Sequence, residues 1–179
     1  MMKKTIVALA VFASAWAYSQ EKAVDVFSAK AGLIGAWISY EKALTSELTL
    51  QGEIGYEGGI FYNSMVDDHV NYVLTTALSL EGRYYYNFNR RIEKGKKTFH
   101  NAANFLALET TYTPDWGTSS NSENVAVLKT FSIIPKYGLR RNLSKKINFE
   151  FSAGPGYQWV ENGNHGVTLG LDVNFGFVF

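Results

Sequence analysis

The stretch VTLGLDVNFGFVF, residues 167–179, decides the fold that we expect for this chain. Every second residue is apolar, from Val167 through Leu171 and Phe175 to Phe179, and mostly small or polar residues such as Asp172 stand between them. A period of two is typical of a β-strand whose two faces differ, whereas a helix would repeat its apolar residues near every 3.6 positions. The stretch therefore predicts a strand with one apolar face.

The same alternation recurs along most of the chain, so we expect an all-β fold. Five further segments show it: residues 48–56, 78–88, 104–114, 131–140 and 146–160. Residues 24–41 must supply the remaining strands, and we interpret them as two short strands joined by a tight turn near residues 30–33. The faces there are ambiguous because Trp37 and Ile38 both favour the apolar side, and one long bent strand is the alternative. The preferred interpretation gives eight strands.

The connectors between these segments alternate in charge. Basic connectors lie around Lys42 and at residues 89–101 and 140–146, and connectors without Lys or Arg lie at residues 57–71, 115–124 and 161–165. Successive connectors of an up-and-down meander lie at opposite ends of the sheet, so the two ends of the molecule should differ in charge. Solvated loops without such an order are the alternative. We predict an antiparallel up-and-down β-barrel.

Composition and the N-terminal residues restrict the class of protein. A chain of 179 residues is long enough for one domain, and the absence of cysteine excludes disulfides and thiolate metal sites. Residues 1–19 have a basic start, a short apolar run and small residues, which indicates a signal peptide rather than a buried or membrane-spanning helix. Cleavage is expected before Gln20, or alternatively after Ala17, and residues 20–179 form the barrel domain. Without Lys3 and Lys4 the chain has 15 basic and 16 acidic residues. This near balance does not favour nucleic-acid binding.

Alternation alone does not say whether the apolar face points into the barrel, as in a soluble lipocalin, or outwards, as in a membrane barrel. The polar face combines glycines with ions of both signs, which suits a crowded lumen where buried charges must be paired. The predicted lumen charge network is Glu53, Glu81, Arg83, Glu109, Lys136, Glu150 and Asp172. Within it, Glu81 and Arg83 share a face, and Lys136 is expected to pair with Glu150 across a hairpin. We expect these side chains to fill the narrow lumen.

Aromatic residues near the strand ends also favour a transmembrane barrel, because membrane barrels carry aromatic girdles at both interfaces. The expected girdles are Tyr56, Tyr112, Tyr157 and Trp159 at the acidic end, and Tyr84, Tyr86, Phe88, Tyr137, Phe175 and Phe177 at the basic end. A closed barrel would also pair the last strand with the first, which removes an exposed apolar edge.

The last strand resembles the C-terminal signature of outer-membrane β-barrel proteins, in which apolar residues alternate up to a terminal aromatic. The residues that carry the resemblance are Leu171, Val173, Phe175, Phe177 and Phe179. The resemblance implies that the barrel-assembly machinery reads this strand as an assembly signal. The rest of the mature chain is similar to small eight-stranded barrels of the OmpX or OmpA-transmembrane type, and two stretches look like those of Bacteroidota barrels. These stretches are YYYNFNRRIEKGKKT and IIPKYGLRRNLSKKINFEFSAGPGY.

The resemblance further implies the outer membrane of a Gram-negative bacterium, a monomer, and outer-membrane lipid and lipopolysaccharide as neighbours. The chain departs from the family in two respects. Residues 89–101 are long for a periplasmic turn, and Pro135 and Pro155 fall within strands, where each removes a ladder hydrogen bond, so we expect bulges there.

No pattern in the sequence predicts a catalytic, cofactor or metal site. His69 lies beside Asp67 and Asp68, but adjacent acids in a loop lack a defined ligand geometry. A lipid A-modifying enzyme would need a serine, a histidine and an acid at the outer rim, and no nucleophile motif surrounds the available ones. These are Ser119, Ser120, Ser122, His69, His165 and Glu161.

We therefore predict a non-enzymatic barrel without cofactor, with a structural or surface-recognition role. Its best contact surface is residues 57–71, which include Phe61, Tyr62 and Met65. A narrow pore or small-solute transporter is the alternative, and the lipid A-modifying enzyme is a weaker one.

Overall fold

The computed structural model describes residues 22–63, 67–121 and 127–179, and the side chains of these residues except 60–63 and 67–70. The signal peptide predicted for residues 1–19 lies outside this part. Strands make up most of the described chain. The strands are β1 (Val26–Gly32), β2 (Gly35–Ala43), β3 (Leu48–Asn63), β4 (Asp67–Tyr84), β5 (Asn104–Thr113), β6 (Ser119–Ser120), β7 (Thr130–Asn142), β8 (Ile147–Val160) and β9 (His165–Val178). Two short helical segments follow β4, namely α1 (Phe88–Glu93) and the 3₁₀ turn η1 (Phe99–Asn101).

Eight of the strands close into a ring, and every neighbouring pair in it is antiparallel. The order around the ring is β1–β2–β3–β4–β5–β7–β8–β9, and β9 pairs back onto β1 from Ser28↔Val178 to Gly32↔Asn174. The short β6 pairs only with Val73 and Leu74 of β4, outside the ring. The predicted eight-stranded antiparallel barrel is thus confirmed, and β1 and β2 are two strands rather than one bent strand.

The wall of the ring has its apolar side outside and its charged side inside. Leu80, Leu108 and Leu169 are exposed, whereas Glu81, Glu109 and Gly170, next to them in sequence, lie inwards and are buried. In β2, Ile38 points outwards and Trp37 is half-buried on the inner side with Ser39 and Glu41, which resolves the ambiguity of this strand. Among the described residues, no helix has the length and hydropathy to span a membrane, a finding that concerns helices alone.

The β3–β4 hairpin is longer than the sequence pattern indicated. We expected residues 57–71 to form a loop, but the ladder continues from Glu57↔Thr75 to Asn63↔Asp67. The reason is the content of aromatic and β-branched residues in GIFYN and VNYVLTT, which suits a pleated ladder in spite of the neighbouring glycines and acids. Phe61 and Tyr62 therefore lie in β3, and Met65 lies outside the described residues.

The prediction of bulges at Pro135 and Pro155 is wrong. The register between β7 and β8 is the same on either side, with Ile133↔Tyr157 before the prolines and Tyr137↔Ala153 after them. The two prolines lie opposite each other within an interval that has no ladder pairs, so both missing N–H donors fall in one gap. Gly154 lets the backbones approach there, because a Cβ at this position would lie 1.8 Å from the Pro135 carbonyl oxygen.

The long connector between β4 and β5 folds into one end of the ring and closes it. Tyr85, Phe88 and Ala103 of the connector form a buried cluster with Phe105 of β5, and Ile92 packs against it. Asn101 of η1 ties this cap to the residues just before β1, since its side-chain amide donates to the Val24 carbonyl and accepts from the Val24 N–H, both at 2.9 Å. Phe88 is therefore buried in the cap, and its predicted place in the outer aromatic girdle is wrong. The helix α1 turns its ring inwards, and the other nine girdle residues lie on the wall or its edges.

We predict that Phe105→Ala lowers the free energy of unfolding by about 3–5 kcal/mol, because truncation of a fully buried ring leaves a cavity. The Phe105 ring contacts Tyr85 at a centroid distance of 5.5 Å and lies under the Arg83 guanidinium at 4.5 Å. The measurement is urea-induced unfolding of the purified protein, followed by tryptophan fluorescence.

The matched control is Phe99→Ala in the connector that precedes β5, because the Phe99 side chain is 57% exposed. It should unfold at nearly the wild-type urea concentration. Equal losses for the two variants would contradict the role of the cap as a packed core.

Candidate functional site

The lumen is organised around the carboxylate of Glu150 on β8, which is buried and holds three cations from three other strands. Arg83 of β4 makes two parallel contacts, from Nη1 to Oε2 at 3.0 Å and from Nη2 to Oε1 at 2.8 Å. Arg140 of β7 donates from Nε to Oε2 at 2.7 Å, and Lys30 of β1 lies 3.3 Å from Oε1. A carboxylate bound by a bidentate arginine is among the strongest polar contacts in proteins. Glu150 therefore links strands from opposite sides of the ring.

A second carboxylate, Glu41 of β2, connects this centre to the cap. Its Oε2 accepts from Arg140 Nη1 at 2.6 Å, and its Oε1 accepts from the Tyr85 hydroxyl at 2.7 Å and from Asn101 Nδ2 at 3.1 Å. Thr49 of β3 donates to the same oxygen at 2.6 Å. Because Tyr85 and Asn101 belong to the cap, the ion pairs and the closed end of the barrel support each other.

A third group lies farther from the cap, around the ammonium of Lys136 on β7. Its Nζ donates to Glu109 Oε1 at 2.6 Å and to Asp172 Oδ2 at 2.7 Å. Asp172 also accepts from the hydroxyl of Ser152. Here one cation faces two anions, whereas the Glu150 centre combines one carboxylate with three cations.

The seven residues predicted for the lumen network all lie on the inner side of the wall. Glu81 contacts Arg83 at 2.7 Å, Glu53 contacts Lys30, and Glu109 and Asp172 contact Lys136. The expected pair of Lys136 with Glu150 is wrong, because the β7–β8 register places Arg140 opposite Glu150.

Sequence reasoning missed Lys30, Glu41 and Arg140. Arg140 lies on the polar face of the predicted strand 131–140 and also begins a predicted basic connector, and it was left out of the predicted network. The structure places it on the inner face of β7 with Lys136 and Gly138. Lys30 and Glu41 lie in the segment whose faces were ambiguous. Once Ile38 is placed on the outer face, Ser39 lies on the inner face. Glu41 is two residues farther along the strand, so alternation places it on the inner face as well.

The lumen is not filled by its own side chains, in contrast to what we expected. A cavity of about 500 Å³ occupies the part opposite the cap, with Glu109, Lys136 and Asp172 in its lining. The lining also includes Glu57, Trp37, the amide side chains of Gln158 and Asn174, and several hydroxyl side chains. The hydroxyl residues are Thr75, Thr111, Thr113, Thr130, Ser132 and Thr168. A smaller cavity of about 40 Å³ lies between this space and the Arg83 region, lined by Glu53, Glu81 and Asn174 among others.

The rim beyond the cavity carries a separate charge cluster. Lys129 Nζ lies 3.1 Å from Asp115 and 3.3 Å from Glu161, and the pKa of Lys129 is raised, chiefly by its hydrogen bond to Asp115. His165 contacts the Tyr157 hydroxyl, and Ser120 donates to the Tyr72 carbonyl at 2.9 Å. Three of the groups considered for lipid A chemistry, Glu161, His165 and Ser120, thus have partners other than one another.

The remaining candidates for chemistry are only partly visible. Ser122 and the side chain of His69 lie outside the described part of the chain. Within that part, no group of three or more His, Asp or Glu side chains has the arrangement to hold a metal ion.

Comparison of the chain with protein-family models, with curated proteins and with solved structures found no match.

We predict that Glu150→Gln lowers the free energy of unfolding by about 3–5 kcal/mol, the typical cost of breaking a buried ion pair, because it neutralises the one carboxylate that three buried cations share. Arg83, Arg140 and Lys30 all lose their shared carboxylate in this variant. Urea-induced unfolding again provides the measurement.

Asp25→Asn is the control of equal charge change. It removes an ion pair with Lys42 of 2.6 Å whose members are both solvent-exposed, and such pairs contribute little to stability. Wild-type stability in Glu150→Gln would show that the Glu150 centre does not hold the barrel together.

Proposed function

We propose that the protein is an integral outer-membrane β-barrel of a Gram-negative bacterium. In this proposal a signal peptide directs its export before it reaches the outer membrane. The observation that carries the proposal is the inverted wall, which exposes leucines and aromatics and buries arginines and carboxylates. Exposed apolar surface costs about 25 cal/mol per Å² in water, and burying charges adds a further cost. A hydrocarbon surrounding removes the first cost, and an antiparallel ring satisfies its backbone internally, as a bilayer requires.

The aromatic side chains at the two edges of the wall support the same proposal. Tyr112 and Trp159 lie near the cavity end, and Tyr84 and Tyr137 near the cap, and all four are exposed. Such rings are typical of the two interfaces of a bilayer. Trp159 also packs on Phe131 at 5.9 Å and on Tyr157 at 5.0 Å, so the edge at the cavity end is a connected aromatic patch.

We further propose that the barrel does not conduct and is not an enzyme, and that it has a structural or surface-recognition role. The cap and the Glu150 centre block the lumen at one end, which argues against the narrow pore. In this proposal the acidic connectors at the cavity end face the cell surface beside lipopolysaccharide. The basic cap faces the periplasm, the barrel-assembly machinery recognises β9, and the protein is a monomer.

The experiment that tests the location is electrophoresis of the outer-membrane fraction with and without boiling. A folded membrane barrel resists detergent, so we expect the band in this fraction and a change in its migration on heating. The control is the Glu150→Gln variant, in which the unboiled band should unfold at a lower temperature. A soluble periplasmic protein without a heat-dependent shift would contradict the proposal.

A second experiment tests whether the wall faces lipid, using two leucines of equal exposure. Leu171 in the middle of β9 and Leu143 in the β7–β8 turn are both 57% exposed. We predict that Leu171→Arg costs about 2–4 kcal/mol in a bilayer and that Leu143→Arg costs much less, because charge is penalised most at the centre of the hydrocarbon.

The measurement is urea-induced unfolding in lipid vesicles. In water the two arginines would be equally tolerated. Equal stability of the two variants would therefore indicate an aqueous surrounding.

A further inference from the structure

We propose that the 500 Å³ cavity is a binding site for a small organic cation with two primary ammonium groups. The inference rests on the charges and shape of the cavity, so it goes beyond the proposed location and does not require it. The cavity is enclosed by β-strands on its sides and by the ion-pair network below, and it lies opposite the cap.

The first argument is the charge of the lining. Among the described residues, three carboxylates, Glu57, Glu109 and Asp172, share the cavity with one cationic side chain, Lys136. Two negative charges thus remain without a cationic side chain in the lining, and an anionic ligand would add to that excess. A cleft with low-dielectric walls strengthens the attraction for positive charge. A ligand with two ammonium groups would neutralise the lining.

Lys136 shows how the lining binds an ammonium group. Its Nζ donates to two carboxylates from two other strands, Glu109 at 2.6 Å and Asp172 at 2.7 Å. A carboxylate has two oxygens with about four acceptor sites, so these groups retain acceptor capacity towards the cavity. A free ammonium of the same shape would find the same type of partner.

The second, independent argument is the presence of buried acceptors that receive no hydrogen bond within the described chain. Glu81 Oε1 and Asn174 Oδ1 are such atoms, in residues only 2% and 7% exposed, and both line the smaller cavity. Asn174 also lines the larger cavity, together with Thr75, whose hydroxyl is likewise without a partner. Unmatched acceptors are costly when buried, and a ligand rich in N–H donors satisfies them.

The third argument distinguishes an organic cation from a metal ion. Within the part of the chain that is described, no three acidic or imidazole side chains converge on one point as a metal requires. The lining also includes the Trp37 ring and Ile134 on the inner side of the wall. An indole face attracts ammonium groups, and both side chains suit a short methylene chain. A lining that combines carboxylates with apolar side chains suits a diamine, which has two ammonium groups joined by a methylene chain.

The test is isothermal titration calorimetry of the folded wild-type protein in detergent micelles, with 1,4-diaminobutane as the probe. We expect saturable binding of one diamine, and no binding of 1,4-butanediol or succinate, which have the same length without the positive charge. Absence of binding, or equal binding of the diol, would overturn the inference. Displacement of the diamine by low concentrations of Mg²⁺ would also overturn it in favour of a metal.

The variants are Glu57→Gln in the cavity and Glu161→Gln on the rim, which change the net charge equally. We expect Glu57→Gln to weaken diamine binding about tenfold or more, because the variant removes a charge-assisted hydrogen bond to the ligand. Glu161→Gln should bind as the wild type does, since Glu161 contacts Lys129 at the rim. Equal weakening in both variants would indicate long-range charge rather than a site.

Lys136→Ala provides a test of opposite sign, because it removes the resident ammonium from Glu109 and Asp172. If it folds, it should bind the diamine more tightly than the wild type, and weaker binding would count against the proposal. If it does not fold, the Glu57 and Glu161 pair decides alone. The heat-dependent band shift is measured on the same samples, so a folded outer-membrane barrel without diamine binding refutes only this inference.

Discussion

The structure depends on one shared carboxylate, that of Glu150, because the wall of the barrel has its apolar side outside. A protein with this arrangement has no ordinary hydrophobic core to define its shape, and the core that does exist lies in the cap. The inner charges must therefore satisfy one another, and Glu150 does so for cations from β1, β4 and β7. Such networks add little net stability compared with apolar packing, but they penalise every register that separates their members.

The cap makes the two ends of the barrel different. Its rings fill the lumen below Arg83, and Glu41 joins them to the ion pairs through Tyr85 and Asn101. Towards the open end of the barrel, carboxylates outnumber cations. Lys136 is the cation among the described residues that line the cavity, and the carboxylates there extend to Glu57. The gradient from a balanced network to an acidic cavity follows from which inward positions of the strands carry charge.

The sequence predicted the strands and the faces well because alternation is a local property, visible in β8 and β9 without knowledge of their neighbours. It did not predict the cap. Phe105 and Tyr85 occupy inward positions, and they form a packed core only because Phe88 of a helix from the next segment folds against them. It also did not predict the cavity, because an unfilled volume depends on how side chains from all eight strands meet. The partner of Glu150 was wrong for a similar reason, since a pair across a hairpin depends on the length of the turn.

The paired prolines affect how the wall behaves beside the cavity. Between Ile133↔Tyr157 and Tyr137↔Ala153 the two strands have no ladder pairs with each other, and each is held by its other neighbour, β7 by β5 and β8 by β9. Ile134, Lys136 and Gly156 belong to this interval, and Ile134 and Lys136 line the cavity. Because no ladder hydrogen bonds join β7 and β8 in this interval, the two strands separate more easily here than elsewhere along their pairing. Separation of β7 and β8 there would change the width of the cavity while the other strand pairs of the ring keep their hydrogen bonds.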